Sequence, residues 1–360
     1  MTVALSTFYA DFNYGATLQA TSLRLVLEGM GHEAGFIRRS PPMRKQIFRP
    51  WTNPRSAVRN LTILPNLRSM RRRAQETQRF LDTHQRILDA PSGAFPKADA
   101  YVAGSDQIWN VEQSVDSRFF LLPADPNASR LVSYAASFGT ERLPDGRADA
   151  VREALSRFHR ISVREASAAT IVEQLLGHRP PVVCDPVFLQ SADDWRSLSA
   201  PYPRRPDRYI LVYGIRKDAE LERCVASVKA ATGLPVLQLL PGFNVWAVHA
   251  ADIRRHDASP QEFPDLIDHA DAVCTNSFHC MAFSLLFGRP FFATHSTLGR
   301  STRLTNLLET FGETARMSPA DGGFSAEDVR LLLETRTGEW QSLRDRLAAR
   351  GMEFLREALS

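Results

Sequence analysis

The sequence lacks the features that mark membrane, metal and redox proteins. It contains no run of about 18 apolar residues, and its first twelve residues become polar too early for a signal peptide. Its four cysteines show no CxxC spacing and no clustered histidines; they are Cys184, Cys224, Cys274 and Cys280. We therefore expect a cytoplasmic protein with buried core cysteines, no metal and no cofactor.

Composition indicates an ordinary soluble protein with an uneven charge. The 360 residues are enough for two domains, and 44% of them are hydrophobic and 23% charged. The net charge is +4, but segment 38–79 alone carries +11, so the rest carries −7. Such a segment suits an anionic membrane or a lipid-linked phosphorylated substrate, or it is simply a solvated helical face. Residues 71–73 have no interleaved aromatic side chain, so nucleic acid is not expected as a partner.

The order of apolar segments predicts an α/β protein with two lobes. Residues 1–40 follow a strand, loop, helix, strand pattern, and similar units recur up to a predicted final strand in PPVVCDPVFLQ at 180–190. A proline-rich linker at 191–208 then precedes a second set of such units. The predicted domains are a Rossmann-like lobe at 1–190, expected to form the acceptor side, and a second at 209–325, expected to form the donor side. Segment 326–360 is helical and could pack back on the first lobe. This pattern predicts a GT-B-like architecture with the active site between the lobes.

Polar residues follow two strands of the predicted first lobe. Asn13 and Gly15 precede a helix whose free N–H groups would favour an anion, unless they serve only as turn and cap. The loop at 104–110 offers hydrogen-bonding groups and an indole suited to a sugar, and Asp106 could accept a proton. The alternative is that Asp106 caps a helix and Trp109 lies in the core.

Two further loops carry an arginine and a histidine. Arg164 directly follows a strand, where its guanidinium could bind a carboxylate or phosphate, or pair with Glu165 or Asp185. His279 follows the strand at 272–275 and stands at the start of a helix, a position suited to acid–base chemistry beside an anion. It has no third partner in a nucleophile elbow, which disfavours a serine hydrolase.

Six stretches in order resemble the polysaccharide pyruvyl transferase family. They are FNYGATLQATSL at 12–23, DAYVAGSDQIWN at 99–110, LVSYAASFG at 131–139, ISVREASA at 161–168, VVCDPVFL at 182–189 and ADAVCTNSFHCMAFSLLFGRPF at 270–291. The resemblance implies a GT-B-like fold and transfer of a pyruvate unit from phosphoenolpyruvate to a sugar or lipid-linked glycan precursor, usually as a ketal. It also implies that His279 is catalytic and that Arg164 binds the donor.

The resemblance extends to further site residues. We assign Asp106 as a possible catalytic partner of His279. The donor-binding candidates are Asn13, Gly15, Arg164, Asn276, Ser277 and Arg303, with Arg300 as an alternative to Arg303. The acceptor-binding candidates are Gln107, Trp109, Asn110 and Ser137. A lipid-linked acceptor would bring the protein to the inner face of the membrane through segment 38–79.

Two other functions stay open at this point. One is a glycosyltransferase that uses a nucleotide sugar on the same architecture. The other is a non-catalytic family member, because Ser277 and Cys280 stand where other members often carry arginine and glycine. Ligand selectivity separates the three possibilities.

Overall fold

Two parallel β-sheets organise the protein into two lobes. The computed structural model describes residues 1–10, 13–38, 66–91, 94–111, 117–215, 218–241, 247–295, 302–319, 323–334 and 337–360. Within these residues, one sheet has six strands and the other has five. The predicted two-lobed α/β architecture is confirmed.

The first lobe holds the six-stranded sheet, in the order β3-β2-β1-β4-β5-β6. Its strands are β1 (Thr2–Ser6), β2 (Glu33–Ile37), β3 (Ile87–Leu88), β4 (Ala100–Ala103), β5 (Arg130–Ala136) and β6 (Arg160–Val163). Its helices are α1 (Tyr14–Gly29), α2 (Leu67–His84), α3 (Ala148–Leu155) and α4 (Ala166–Leu176). The central strands β1 and β4 are short, mainly apolar and buried except at Thr2, as expected for a parallel sheet that is covered on both faces.

The second lobe holds the five-stranded sheet, in the order β11-β10-β7-β8-β9. Its strands are β7 (Ile210–Tyr213), β8 (Val236–Leu239), β9 (Ile253–Arg255), β10 (Ala272–Thr275) and β11 (Phe291–Ala293). The remaining helices are α5 (Ala192–Leu198), α6 (Ala219–Thr232), α7 (Glu262–Asp268), α8 (Phe278–Phe287), α9 (Thr302–Phe311), α10 (Ala326–Leu333) and α11 (Thr337–Leu359).

The connection between the lobes differs from the prediction. Residues 182–189 do not form a strand: Val182 makes one isolated bridge to Val163, and Pro186–Leu189 form a 3-10 turn. The expected linker at 191–208 contains α5, whose Trp195 is fully buried and donates its indole N–H to the Val187 carbonyl at 2.8 Å. The prolines correctly indicated an interruption between the two sets of β-α units, but they did not predict this packed helix.

The C-terminal helix α11 packs back on the first lobe. Leu355, Ala358 and Leu359 lie in the same apolar cluster as Val3 and Val132 of the first sheet. The Leu347 carbonyl lies 3.5 Å from Cys184 Sγ, next to the crossing between the lobes. The helix therefore ties the end of the chain to its beginning.

Helix α2 joins the lobes through two arginines of the basic segment. Arg72 Nη2 pairs with Glu262 Oε1 of α7 at 2.6 Å. Arg73 donates to the Leu240 carbonyl at 3.1 Å and lies over the Tyr14 ring at 4.2 Å. Residues 39–65, which hold much of the segment's charge, lie outside the described residues. These two arginines thus serve contacts within the chain.

The strand order places the candidate loops at the points where ligands bind in such folds. Chain order reverses beside β1, between β1 and β4, and again between β7 and β10. In open parallel sheets, ligands bind beyond the carboxyl ends of strands at these switch points. The loop after β4 leads to Asp106, and the loop after β10 leads to His279.

All four cysteines are buried and free, which confirms the expectation that they are core residues. Burial raises the pKa of the Cys280 thiol to about 12, so that thiol stays protonated and unreactive at neutral pH. No described helix is long and apolar enough to cross a membrane.

Candidate active site

The loop after β4 turns sharply to present Asp106 to the cleft. Gly104 has a φ of 120°, and a Cβ on it would lie 2.1 Å from the Tyr134 carbonyl oxygen, so only glycine fits there. Asp106 itself has a φ of 74°, in the left-handed region that aspartate tolerates. Its Oδ1 accepts from the Gln107 backbone N–H at 2.9 Å and lies 3.5 Å from Arg164 Nη2. Asp106 thus faces the arginine that follows β6.

Arg164 is held in a buried ion pair. Its Nη1 donates to Asp185 Oδ2 at 2.7 Å, and its Nε lies 3.7 Å from Glu165 Oε2. The guanidinium also lies 4.3 Å from the centre of the Phe278 ring, within cation–π range. The ion pair that the sequence left as an alternative is therefore present, with Asp185 as the main partner.

The buried charges set the ionisation of this group. Burial raises the pKa of a carboxyl, but His279 and Arg164 hold the pKa of Asp185 well below its usual range. At Asp106, burial also raises the pKa, but Arg164, His279 and Arg303 lower it by more, so the net effect is a lowered pKa. For Arg164, burial lowers the pKa while Asp185, Asp106 and Glu165 raise it, and the net effect is a rise. All three groups are charged at neutral pH.

His279 enters the cleft from the second lobe at the start of α8. Ser277 caps this helix, and its side chain accepts from the Cys280 backbone N–H at 3.5 Å. The imidazole is 5% exposed, and its Nε2 lies 3.5 Å from Asp185 Oδ2. Asp185 therefore lies between the arginine of one lobe and the histidine of the other.

The beginning of α1 packs directly against the His279 ring. Asn13 caps this helix, because its Oδ1 accepts from the backbone N–H groups of Gly15 at 3.1 Å and Ala16 at 3.4 Å. A Cβ at Gly15 would lie 2.3 Å from Cγ and 2.4 Å from Nδ1 of His279. Asn13 and Gly15 thus do form a cap, as the structural alternative held, but the glycine also makes room for the histidine.

Arg303 reaches the same region from α9. It lies against Gln107, whose amide oxygen accepts from Arg303 Nη2 at 3.1 Å and Nε at 3.0 Å in the amide orientation that satisfies both side chains. No carboxylate among the described residues lies within 4.0 Å of it, whereas Arg164 has three. Burial and repulsion from Arg164 lower the pKa of Arg303 to about 10, which leaves it charged at neutral pH. Arg300, the other candidate, lies outside the described residues.

A pocket of about 350 Å³ lies beside this cluster. Its charged lining residues are Arg164, Glu165, Asp185, Arg303, Glu309 and Arg350, while Phe188, Phe278, Leu307 and Phe311 line its apolar side. His279 and Asp106 do not line it but contact the Arg164–Asp185 pair that does. The pocket thus presents three arginines and three carboxylates beside an apolar wall.

Trp109 is not placed where the sequence suggested. It is fully buried among Phe120, Phe138 and Phe158, and its indole N–H donates to the Phe119 carbonyl at 3.1 Å. The expected stacking of this indole on a sugar is therefore wrong, because the ring belongs to the core of the first lobe.

The other candidate residues lie around the site, and their polar groups already form hydrogen bonds within the protein. Ser137 is buried and donates to Glu165 Oε1 at 2.5 Å. Asn276 accepts from the Ile215 backbone N–H at 2.8 Å, and Asn110 is 6% exposed in the 104–110 loop. Gln107 is half-buried and faces the second lobe through Arg303. Of the four acceptor candidates, Gln107 is the one that reaches across the cleft.

Asp185 is the site residue that sequence reasoning did not assign. It appeared only as a possible partner of Arg164, inside a stretch that was predicted to be a strand. Its position before Pro186 is a usable signal, because aspartate followed by proline is typical of a turn or cap at the end of a strand. Its Oδ1 caps the 3-10 turn by accepting from the Val187 backbone N–H at 3.1 Å.

The two-lobed fold is shared with GT-B glycosyltransferases and epimerases. Arabidopsis thaliana UGT89C1 in complex with UDP-L-rhamnose matches with a TM-score of 0.52 and 14% identity, covering 98% of this chain and 94% of that one. A putative UDP-N-acetylglucosamine 2-epimerase from Listeria monocytogenes matches with a TM-score of 0.51 and 11% identity, covering 95% and 90%. At these identities the likeness shows the fold alone.

The family is shown by the sequence. The model of the polysaccharide pyruvyl transferase family matches residues 13–294, which cover most of both lobes and include Asp106, Arg164, Asp185 and His279 but not Arg303. The chain belongs to this family. No curated protein matches it in sequence.

Proposed function

We propose that this protein transfers a pyruvate unit from phosphoenolpyruvate to two hydroxyls of a sugar or glycan precursor and releases phosphate. Family membership supports a pyruvyl transferase. The observation that carries the donor assignment is Arg303, a half-buried arginine with no described carboxylate within 4.0 Å, beside Arg164 at a shared pocket. A small dianion with a carboxylate and a phosphate would meet both arginines there.

Proton transfer to the donor is assigned to His279. The reaction adds a proton to C3 of the enolpyruvyl group, so that C2 becomes electrophilic and an acceptor hydroxyl attacks it with loss of its own proton. Phosphate then leaves C2, and a second hydroxyl attacks and loses its proton to complete the ketal. His279 suits this work because an imidazole can donate and accept protons near neutral pH.

Asp106 is better suited to form an ion pair than to transfer a proton. Its lowered pKa means that the carboxylate binds a proton poorly at neutral pH, so it makes a weak general base. We assign it as the second carboxylate that fixes Arg164. In the same way, Asn13 and Ser277 act by capping α1 and α8, whose N-terminal ends face the site and favour an anion.

The acceptor side of the proposal rests on the loop at 104–110. Gln107 is the candidate that faces the second lobe, and Asn110 lies in the same loop. In this proposal the protein acts in the cytoplasm, and a lipid-linked acceptor would bring it to the inner face of the membrane. Arg72 and Arg73 are engaged with the second lobe, so a membrane contact would depend on other basic residues of segment 38–79.

A thermal-shift titration tests the donor. Phosphoenolpyruvate should raise the melting temperature, because a ligand that binds only the folded state stabilises it, while UDP- and CMP-sugars should not. Arg303→Gln should weaken phosphoenolpyruvate binding by about 10- to 100-fold through loss of charged hydrogen bonds. The control is Arg330→Gln, which changes an exposed arginine on α10 and should bind like the wild type.

Each outcome of that titration selects one function. Stabilisation by a nucleotide sugar in place of phosphoenolpyruvate would overturn the proposal in favour of a glycosyltransferase. Stabilisation by neither ligand would favour a non-catalytic member.

Gly15→Ala should reduce turnover by about 100-fold, because the new methyl group would displace the His279 ring and a shift of about 1 Å can have that effect. The matched control is Gly29→Ala in the same helix, where a Cβ meets no atom within 4 Å. Turnover is measured as phosphate release from phosphoenolpyruvate with a panel of nitrophenyl glycosides as acceptors. Equal rates for the two variants would show that the packing at Gly15 does not position the histidine.

A further inference from the structure

Asp185 occupies the centre of the charged cluster. Its side chain is fully buried, and its Oδ2 accepts from Arg164 Nη1 at 2.7 Å and from the Ser105 hydroxyl at 3.2 Å. The same oxygen lies 3.5 Å from His279 Nε2. One carboxylate oxygen thus meets an arginine, a hydroxyl and an imidazole at once.

The position of Asp185 is fixed independently of the histidine. Its other oxygen accepts from the Val187 backbone N–H, and the 3-10 turn that it caps packs against both α1 and α11. Ser22 of α1 also donates to the Pro186 carbonyl at 2.5 Å. These contacts therefore hold the carboxylate in a fixed position, toward which the imidazole can orient.

The two nitrogens of His279 have different surroundings. Nε2 is buried and has no hydrogen-bond partner among the described residues, and the carboxylate oxygen it faces is Asp185 Oδ2, at 3.5 Å. Nδ1 lies on the side of Gly15, at the N-terminal end of α1. The charged groups around the ring are Asp185 and Asp106, with Arg164 behind them.

We infer that Asp185 is the positioning residue of His279: it keeps the proton on Nε2 and thereby leaves Nδ1, beside the end of α1, as the nitrogen that exchanges a proton with the reactants. A carboxylate next to one ring nitrogen selects the tautomer with its proton there and stabilises the imidazolium when it forms. This inference rests on the proposed function for its catalytic part, but the tautomer does not depend on it.

The tautomer can be read directly in the wild-type protein. Long-range ¹H–¹⁵N spectra of histidine-labelled protein distinguish Nε2–H from Nδ1–H, and comparison with His279→Gln identifies the signal among the nine histidines. The spectra are recorded at a pH at which the ring is neutral, and the expected result for His279 is the Nε2–H form. A predominant Nδ1–H form would overturn the inference, and this measurement needs no variant of Asp185 to fold.

Asp185→Asn supplies the kinetic test. The amide keeps the shape and one acceptor oxygen but loses the charge, so kcat should fall by about 100-fold while the KM for phosphoenolpyruvate changes far less. The control is Asp268→Asn, another buried aspartate, which is held by Arg196 at 2.8 Å and Arg289 at 3.2 Å, away from the site. A kcat equal to that of the control would overturn the positioning role.

The readouts separate failure of this inference from failure of the proposed function. If phosphoenolpyruvate neither binds nor reacts with the wild type, the proposed function fails, and the tautomer of His279 still decides whether Asp185 orients it. If phosphoenolpyruvate reacts but Asp185→Asn keeps its kcat, only the inference about Asp185 fails.

Discussion

Replacing His279 with glutamine should lower turnover by about 100-fold or more, because glutamine can fill the site and form hydrogen bonds but cannot transfer a proton. Binding of phosphoenolpyruvate should change little, since the arginines that face the pocket remain. Phosphate release in the presence of the nitrophenyl glycoside panel measures the first effect, and the thermal shift with phosphoenolpyruvate measures the second.

His256→Gln is the matched control for that experiment. His256 and His279 are each 5% exposed, so the two substitutions change equally buried rings. Burial and the nearby Arg73 lower the pKa of His256 to about 4, so it is neutral at pH 7 and carries no charge that the substitution would remove. If both variants kept wild-type turnover, His279 would have no part in proton transfer.

Arg164→Met should lower the free energy of unfolding by about 3–5 kcal/mol, because it leaves Asp185 as a buried carboxylate without its guanidinium. The sequence alone suggested that this arginine mainly binds the donor. The structure instead predicts that the main effect of removing Arg164 is a loss of folding stability, before any effect on donor binding is considered. Urea unfolding monitored by circular dichroism measures it, and a variant as stable as the wild type would contradict the structural role.

Two further comparisons isolate the ion pair. Arg164→Met combined with Asp185→Asn should be less destabilised than Arg164→Met alone, since no uncompensated charge is left behind. The pKa of Asp185 is depressed in the folded state, so its contribution is complete at neutral pH and declines as the pH falls below about 4. The difference between wild type and Arg164→Met should therefore narrow in that acidic range.

The fold was largely predictable because local patterns decide it. The apolar runs and the glycines that end the helices mark the β-α units, and two sets of units around a proline-rich stretch predict two lobes. The turn at 186–189 escaped this reasoning, because Val182 to Leu189 is as apolar as a strand. The strand is interrupted by Asp185, which caps the turn, and by Pro186, which has no N–H to donate. The turn is then held by the Trp195 indole, which comes from a helix that the local pattern did not reveal.

The site was only partly predictable because its contacts join distant parts of the chain. Residues at the ends of strands could be named, since that position follows from the fold. Which of them pair could not be named: Asp106 and Arg164 are 58 residues apart, and Asp185 and His279 are 94 apart. Trp109 shows the same limit, because an indole in a polar loop looks the same in sequence whether it faces a ligand or the core.

Helix α1 of the first lobe and helix α8 of the second lobe pack against each other at Gly15 and His279. We therefore expect the sequences of the two lobes to evolve together. The His279 ring belongs to one lobe and the space that receives it to the other, so neither lobe carries the complete candidate site. Recombination within 191–208 that joined lobes from different relatives would bring together helix ends that had not been selected to fit. New acceptor specificity is therefore expected to arise by substitution within loops such as 104–110, and exchange of whole lobes is expected to yield folded but inactive proteins.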